Sequence, residues 1–233
     1  MSRKAVTTST PPLPSPPNKS SGLPAPSLNC DLCPRLARFR DDNRKAFPDK
    51  FNAPVPSFGP ADGRLLIVGL APGLRGANFS GRPFTGDYAG ELLYGTLLKF
   101  GLAQGVYQAR PDDGLELADC RITNAVRCVP PENKPVGAEI SQCLTFLTGE
   151  ISGLPRLQAV VSLGLISHNA VLRACGEKVS AFKFVHGARH TLSNGLTLFD
   201  SYHCSRYNTN TGRLTENMFH QVFEDVKFFL DNG

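Results

Sequence analysis

Four of the chain's seven cysteines, Cys30, Cys33, Cys128 and Cys143, form a split set: a CxxC near the start, one thiol opening a Pro-rich loop, and another 15 residues on. Such a set suits a soft metal tying an N-terminal arm to a core, and its spacing admits either a [4Fe–4S] cluster or tetrahedral zinc. With four thiolate ligands and no open coordination position, either group would be structural. A second constellation is spread over the polar stretches 69–87, 124–135 and 202–212. In the first, Gly69-Leu-Ala-Pro-Gly73, with Ala71 at its centre, either brings backbone N–H groups close to a ligand or makes a simple tight turn. It has neither the GxxxxGK[ST] spacing of a P-loop nor the GxGxxG of a dinucleotide site. Phe84, inside Gly81-Arg-Pro-Phe-Thr-Gly86, offers a stacking face to a nucleobase, an interaction worth about 1–3 kcal/mol, or else a lid over the local core. Asp87 can orient water or cap the helix that follows it.

Asn124 is a polar residue at an otherwise apolar strand end. Its carboxamide donates and accepts at once, the pattern that reads adjacent carbonyl and imide N–H groups on a pyrimidine edge, or it holds a neighbouring loop. His203 opens a stretch rich in short donors, where Arg206 and the hydroxyls can hold phosphates while the imidazole donates toward developing negative charge. His168 and His220 are expected in helices. His186 and His190, beside Lys183 and Arg189, are either phosphate-facing or solvated surface. Cys120 and Cys175 read as small buried residues, and Cys204 lies in the binding loop.

These groups need a scaffold. Residues 64–70, 121–126, 159–163 and 196–202 read as four strands, the first three followed by helices near 89–100, 138–148 and from 166 onward. Gly101 can end the first of these helices, and Thr215 can cap a last one whose Met218, Phe219, Val222, Phe223, Val226, Phe229 and Leu230 make a broad apolar face. Strands alternating with helices predict a mostly parallel four-stranded sheet inside an α/β/α sandwich. Loops that follow parallel strands share one sheet edge, so the three polar stretches are expected to converge there.

At 233 residues with 41 % hydrophobic content the chain suits one domain. Residues 1–27, rich in Pro, Ser and Thr, cannot bury enough apolar area to offset ordering and are expected to be a disordered arm; 28–233 are the domain. The net charge of +5 favours a polyanionic partner. The absence of a long apolar run or signal core argues against a membrane or export, so the expected setting is intracellular, cytoplasmic or nucleoid-associated, where thiols stay free or bind metal.

Taken together in their order, the CxxC of Cys30 and Cys33, Gly69-Leu-Ala-Pro-Gly73, Gly81-Arg-Pro-Phe-Thr-Gly-Asp87, Thr123-Asn-Ala-Val-Arg-Cys128, Pro130-Pro-Glu-Asn133, and Tyr202-His203 with Thr211-Gly-Arg-Leu-Thr215 resemble the iron–sulfur branch of the uracil-DNA glycosylase superfamily, specifically its fifth family. The resemblance runs from about residue 28 to the C-terminus. It implies an α/β/α sandwich with a structural [4Fe–4S] cluster on the four cysteines, and monofunctional hydrolysis of the N-glycosidic bond of uracil and other deaminated bases, hypoxanthine among them, as the first step of base excision repair. It further implies that Phe84 stacks on the base, Asn124 faces it, His203 stabilises it as it departs, and Asp87 is the acidic group. Gly69, Ala71 and Gly73 would line the base site, and Arg82, Ser205, Arg206, Tyr207 and Asn208 would contact DNA. The partner is double-stranded DNA with damaged or mismatched bases, and the enzyme is expected to be a monomer. Leu70 and Ala71 stand where most of the superfamily has an acidic or amide group that positions water. A methyl group cannot activate water, so Asp87 or a backbone carbonyl must compensate. The competing readings are a hydrolase of free nucleotides or nucleosides with a structural zinc, and a non-catalytic DNA-binding module.

Overall fold

Each predicted strand is buried from end to end, the pattern of strands covered on both sides. The computed structural model describes residues 22–232. Its elements are α1 (Pro34–Ala46), β1 (Leu65–Gly69), α2 (Ala77–Ser80), α3 (Tyr88–Lys99), β2 (Ala103–Gln104), β3 (Glu116–Leu117), β4 (Cys120–Asn124), α4 (Gly137–Gly153), β5 (Ala159–Leu163), α5 (Leu165–Ala174), β6 (Arg189–Thr191), β7 (Thr197–Ser201), α6 (Arg206–Asn210) and α7 (Glu216–Asn232). Most of the expected N-terminal arm, residues 1–21, lies outside the described residues.

The central sheet has the order β4-β1-β5-β7-β6. All neighbours are parallel except β6, which pairs antiparallel with β7. Alternate side chains leave the sheet on opposite faces. Leu65, Ile67, Ile122, Val161 and Phe199 pack with Leu93 and Leu97 of α3 and Phe219, Phe223 and Val226 of α7. Leu66, Val68, Val160 and Leu198 pack with Leu147 and Ile151 of α4 and Val171 and Leu172 of α5. This is the three-layer sandwich. Burying each large apolar side chain contributes about 1.5–3 kcal/mol.

The expected sheet of four strands is corrected to five. β6 escapes a pattern search because Arg-His-Thr at a sheet edge has no apolar alternation. The helix ends follow local chemistry. Gly101, at φ +68°, terminates α3, and the Met218 N–H donates to Thr215 Oγ1 at the start of α7.

Register sets the site. Gly69 pairs with Asn124 across β1 and β4, and Leu163 with Ser201 across β5 and β7, so four strands end at one edge. No helix among the described residues is long and apolar enough to cross a membrane.

Behind that edge, Glu150 of α4 is 1 % exposed and binds two buried guanidiniums, Arg121 Nε at 2.7 Å and Arg127 Nη2 at 2.5 Å. Burial alone would raise its pKa, but Arg127 and Arg121 outweigh it, and the carboxyl sits below its ordinary value. A depressed folded pKa means that this stabilisation is complete above the ordinary glutamate range and is lost as pH falls through the folded value. Glu150→Ala should cost about 3–5 kcal/mol at neutral pH because both arginines stay buried without their counter-ion. Denaturant unfolding of the two proteins measures this, and a loss under 1 kcal/mol would contradict it.

Candidate active site

The site begins with a missing side chain. A Cβ on Gly69 would stand 2.6 Å from Phe84 Cζ and overlap Asn124 Oδ1, so only glycine at the end of β1 lets the ring and the amide share this space. Phe84 reaches it from a turn flanked by Gly81 (φ +77°) and Gly86 (φ +88°), and Phe84 itself has φ +52°. A left-handed conformation at a bulky residue costs on the order of 1–3 kcal/mol and persists only where its surroundings enforce it.

Asn124 is 3 % exposed, and among the described residues no hydrogen bond engages its carboxamide. A buried amide left open in this way is a ready reader of a ligand's polar edge. Asp87 caps the helix that follows it. Its Oδ1 accepts from the Gly90 N–H at 3.1 Å, capping α3, while Oδ2 faces the first loop, 3.4 Å from where a Gly73 Cβ would lie. Burial raises the Asp87 pKa, and the backbone N–H groups of Gly90 and Ala89 only partly oppose it. The His203 ring stacks toward Phe84, with centroids 5.9 Å apart and planes at 28°. Burial pushes its pKa down to about 4, so the imidazole is neutral at physiological pH.

Phe84, Asp87, Asn124 and His203 therefore line one recess with Ala71 and Gly73, about 30 Å³ in volume. It adjoins a cleft of about 650 Å³, within the range of small-molecule sites, bordered by Asp87, His203, Ser205 and Arg206. The cleft also takes in Asn133, which ends the Pro130-Pro-Glu-Asn133 motif but was given no role, and Leu165 and Ile166, which the sequence reading did not place in the site. Their only local signals are a proline-flanked Asn at φ +57° and an apolar pair after Gly164, at φ +100°.

The expected DNA contacts divide. Tyr207 is 72 % exposed, and the exposed Arg206 guanidinium lies 5.2 Å from the Tyr88 ring centroid. Ser205 caps α6, and Asn208 Nδ2 donates to the His203 carbonyl at 2.8 Å, so these two also fix the loop that carries the imidazole. Arg82 is a correction. It is 1 % exposed and paired at 2.7 Å through both terminal nitrogens with Asp113, so it cannot reach a phosphate. Cys204 is buried, with its thiol toward the Ala89 carbonyl at 3.5 Å.

The expected [4Fe–4S] cluster, with zinc as its alternative, is also corrected. Cys30, Cys33, Cys128 and Cys143 border one small cavity, and Cys128 and Cys143 pack with Leu36 and Val126 as small apolar residues do. Yet among the described residues the only group of three or more possible metal ligands whose atoms lie within 4.8 Å of one another is His168, His190 and Asp200. Two imidazoles and a carboxylate are the ligand types of a mononuclear site such as zinc, not of an iron–sulfur cluster. Here they are joined by hydrogen-bond contacts: His168 Nδ1 is 2.7 Å from Asp200 Oδ1, His190 Nε2 is 3.0 Å from Oδ2, and Ser162 donates to Oδ1 at 2.7 Å. None of the three borders the recess or the cleft. His190 thus faces a buried carboxylate and not a phosphate.

Residues 56–227 match the model of the uracil DNA glycosylase superfamily. Over 203 residues, 85 % of this chain and 92 % of the relative, the sequence is 43 % identical to a type-5 uracil-DNA glycosylase of Thermus thermophilus. It is 41 % identical to that of Mycobacterium leprae, covering 87 % of this chain and 94 % of the relative, and 39 % identical to that of Pyrobaculum aerophilum, covering 81 % and 83 %. With the strand-end site and these matches in agreement, the chain belongs to the uracil DNA glycosylase superfamily and, within it, to the type-5 uracil-DNA glycosylases.

Proposed function

We propose that residues 28–233 form a monofunctional glycosylase domain that hydrolyses the N-glycosidic bond of uracil and other deaminated bases in double-stranded DNA, leaving an abasic site. It acts as a monomer on intracellular DNA. One observation carries this reading: a stacking ring, a carboxamide that makes no hydrogen bond among the described residues, a neutral imidazole and a carboxylate meet around a single recess. The sequence identity to type-5 uracil-DNA glycosylases supports it.

Within this reading the target base leaves the helix, at a cost of a few kcal/mol, and stacks on Phe84. The Asn124 amide accepts from the imide N–H and donates to the adjacent carbonyl. As the bond between C1′ and the base breaks, the electron pair goes to the base and the sugar takes on oxocarbenium character. His203, neutral with its pKa near 4, donates a hydrogen bond to the base oxygen where charge collects. Ionised Asp87 stabilises the sugar cation and orients the water whose oxygen bonds to C1′. One proton of that water ends on the released base. Arg206, with Ser205 and Asn208 behind it, holds phosphate, and the exposed Tyr207 fills the vacated stack.

The first test is excision from duplexes that each carry one defined lesion, read as alkali-labile strand breaks. Cleavage at uracil is expected, and intact strands or a preference for free nucleosides would overturn the reading. Asn124→Ala should lower single-turnover excision of uracil by about 10²-fold or more while binding to undamaged duplex changes little. Equal losses in both would remove its base-reading role.

Acid should act through Asp87. Burial raises the Asp87 pKa, so its protonation should give the pH–rate profile an acid limb with a midpoint above the ordinary aspartate value. In Asp87→Asn the remaining slow activity should lose that limb, and a limb of unchanged position would assign it to another group.

A further inference from the structure

We infer that Tyr107 and the Arg82–Asp113 ion pair, which lie outside the recess, are positioning residues that hold Phe84 in the strained backbone conformation from which its ring meets an extruded base. This rests on the glycosylase reading above. A left-handed phenylalanine relaxes unless something holds it, and both sides of Phe84 are held by the segment between β2 and β3. The Tyr107 hydroxyl donates to the Phe84 carbonyl at 3.1 Å, and Tyr94 of α3 donates to the Pro83 carbonyl at 2.6 Å. Burial pushes the Tyr107 phenol up to about 12, so it remains a donor across the working pH range.

On the other side, Arg82 lies among three rings, with its guanidinium carbon 5.2 Å from the Phe58 centroid, 5.3 Å from Tyr94 and 5.7 Å from Tyr107. Its Nε donates to Thr85 Oγ1 at 2.7 Å, which closes the turn around Phe84. Asp113 completes the unit. It pairs with both terminal nitrogens of Arg82 and accepts from the backbone N–H groups of Gln108 at 2.9 Å and Leu115 at 3.1 Å, so the charge that fixes the turn also fixes the segment bearing Tyr107. Helix α3 makes room for the contact. A Cβ on Gly90 would overlap both the Phe84 carbonyl oxygen and the Tyr107 hydroxyl.

The residues act through Phe84, so the decisive measurement is a double-mutant cycle. In Tyr107→Phe, single-turnover excision of uracil from duplex DNA should fall about ten-fold, with the unfolding midpoint and the affinity for undamaged duplex unchanged. In a Phe84→Ala background the same substitution should have no further effect. A wild-type rate in Tyr107→Phe, or an equal loss with and without the Phe84 ring, would overturn the inference. So would a loss that only follows reduced stability. Asp113→Asn should reproduce the kinetic loss if it folds. If it does not, the tyrosine cycle still decides, because deleting one hydroxyl leaves the ion pair intact. Wild-type protein that releases no uracil would instead defeat the glycosylase reading itself.

Discussion

The register that sets Gly69 beside Asn124 brings two strand ends so close that one methyl group on Gly69 would meet both the Asn124 amide and the Phe84 ring. Everything else in the site follows from that approach. Two neighbouring parallel strands must end level and one must end in glycine. A turn must then deliver an aromatic ring over the gap, which it does only by bending Phe84 into φ +52°. Strain of that kind needs support, and the support lies in the buried Arg82–Asp113 pair and in two tyrosine hydroxyls that bind consecutive backbone carbonyls.

Removing these groups from water also sets their charge states. The same burial that drives His203 down to about 4 raises Asp87, since in both cases it disfavours the charged form. For the imidazole the result is a neutral donor, suited to an oxygen that gains charge as a bond breaks. For Asp87 the backbone N–H groups at the start of α3 partly offset the penalty. Capping a helix and keeping a carboxylate in a partly dry site are therefore one arrangement.

The four long strands were legible because a strand covered on both faces is a continuous apolar run. β6 was not, being short, polar and at an edge. Helix α1 was missed for a related reason: its sequence Pro-Arg-Leu-Ala-Arg-Phe-Arg-Asp-Asp-Asn-Arg-Lys-Ala is polar on most sides, with only Leu36, Arg40 and Asn43 buried. Convergence of Phe84, Asp87, Asn124 and His203 was readable from topology, since each follows or ends a strand at the same sheet edge. Arg82 was misread because its environment comes from Asp113, 31 residues away and between two-residue strands that carry no periodic signal. The cysteines show the limit of spacing as a guide: it can bring four thiols around one cavity without giving their separations, and the close-set ligand atoms belong to three residues that no motif connects.

The two volumes in the site impose a further condition. A recess of about 30 Å³ has room for a water or so and not for a base, whereas the adjoining cleft of about 650 Å³ has room for a nucleotide. On the proposed reading, a base that enters between Phe84 and Asn124 therefore displaces part of the wall. Phe84 is fixed through its carbonyl and its turn, and Asn124 ends a paired strand. The His203 ring, like the Asn124 carboxamide, makes no hydrogen bond among the described residues, and its loop is tied by the Asn208 contact to its carbonyl. On the proposed reading, the groups that meet the base are thus the ones that no hydrogen bond of their own side chain holds in place, while the backbone that carries them is fixed. A base that cannot bond to Asn124 would meet the cost of that displacement without the compensating hydrogen bonds, and a small recess can in this way discriminate without being shaped to a single ligand.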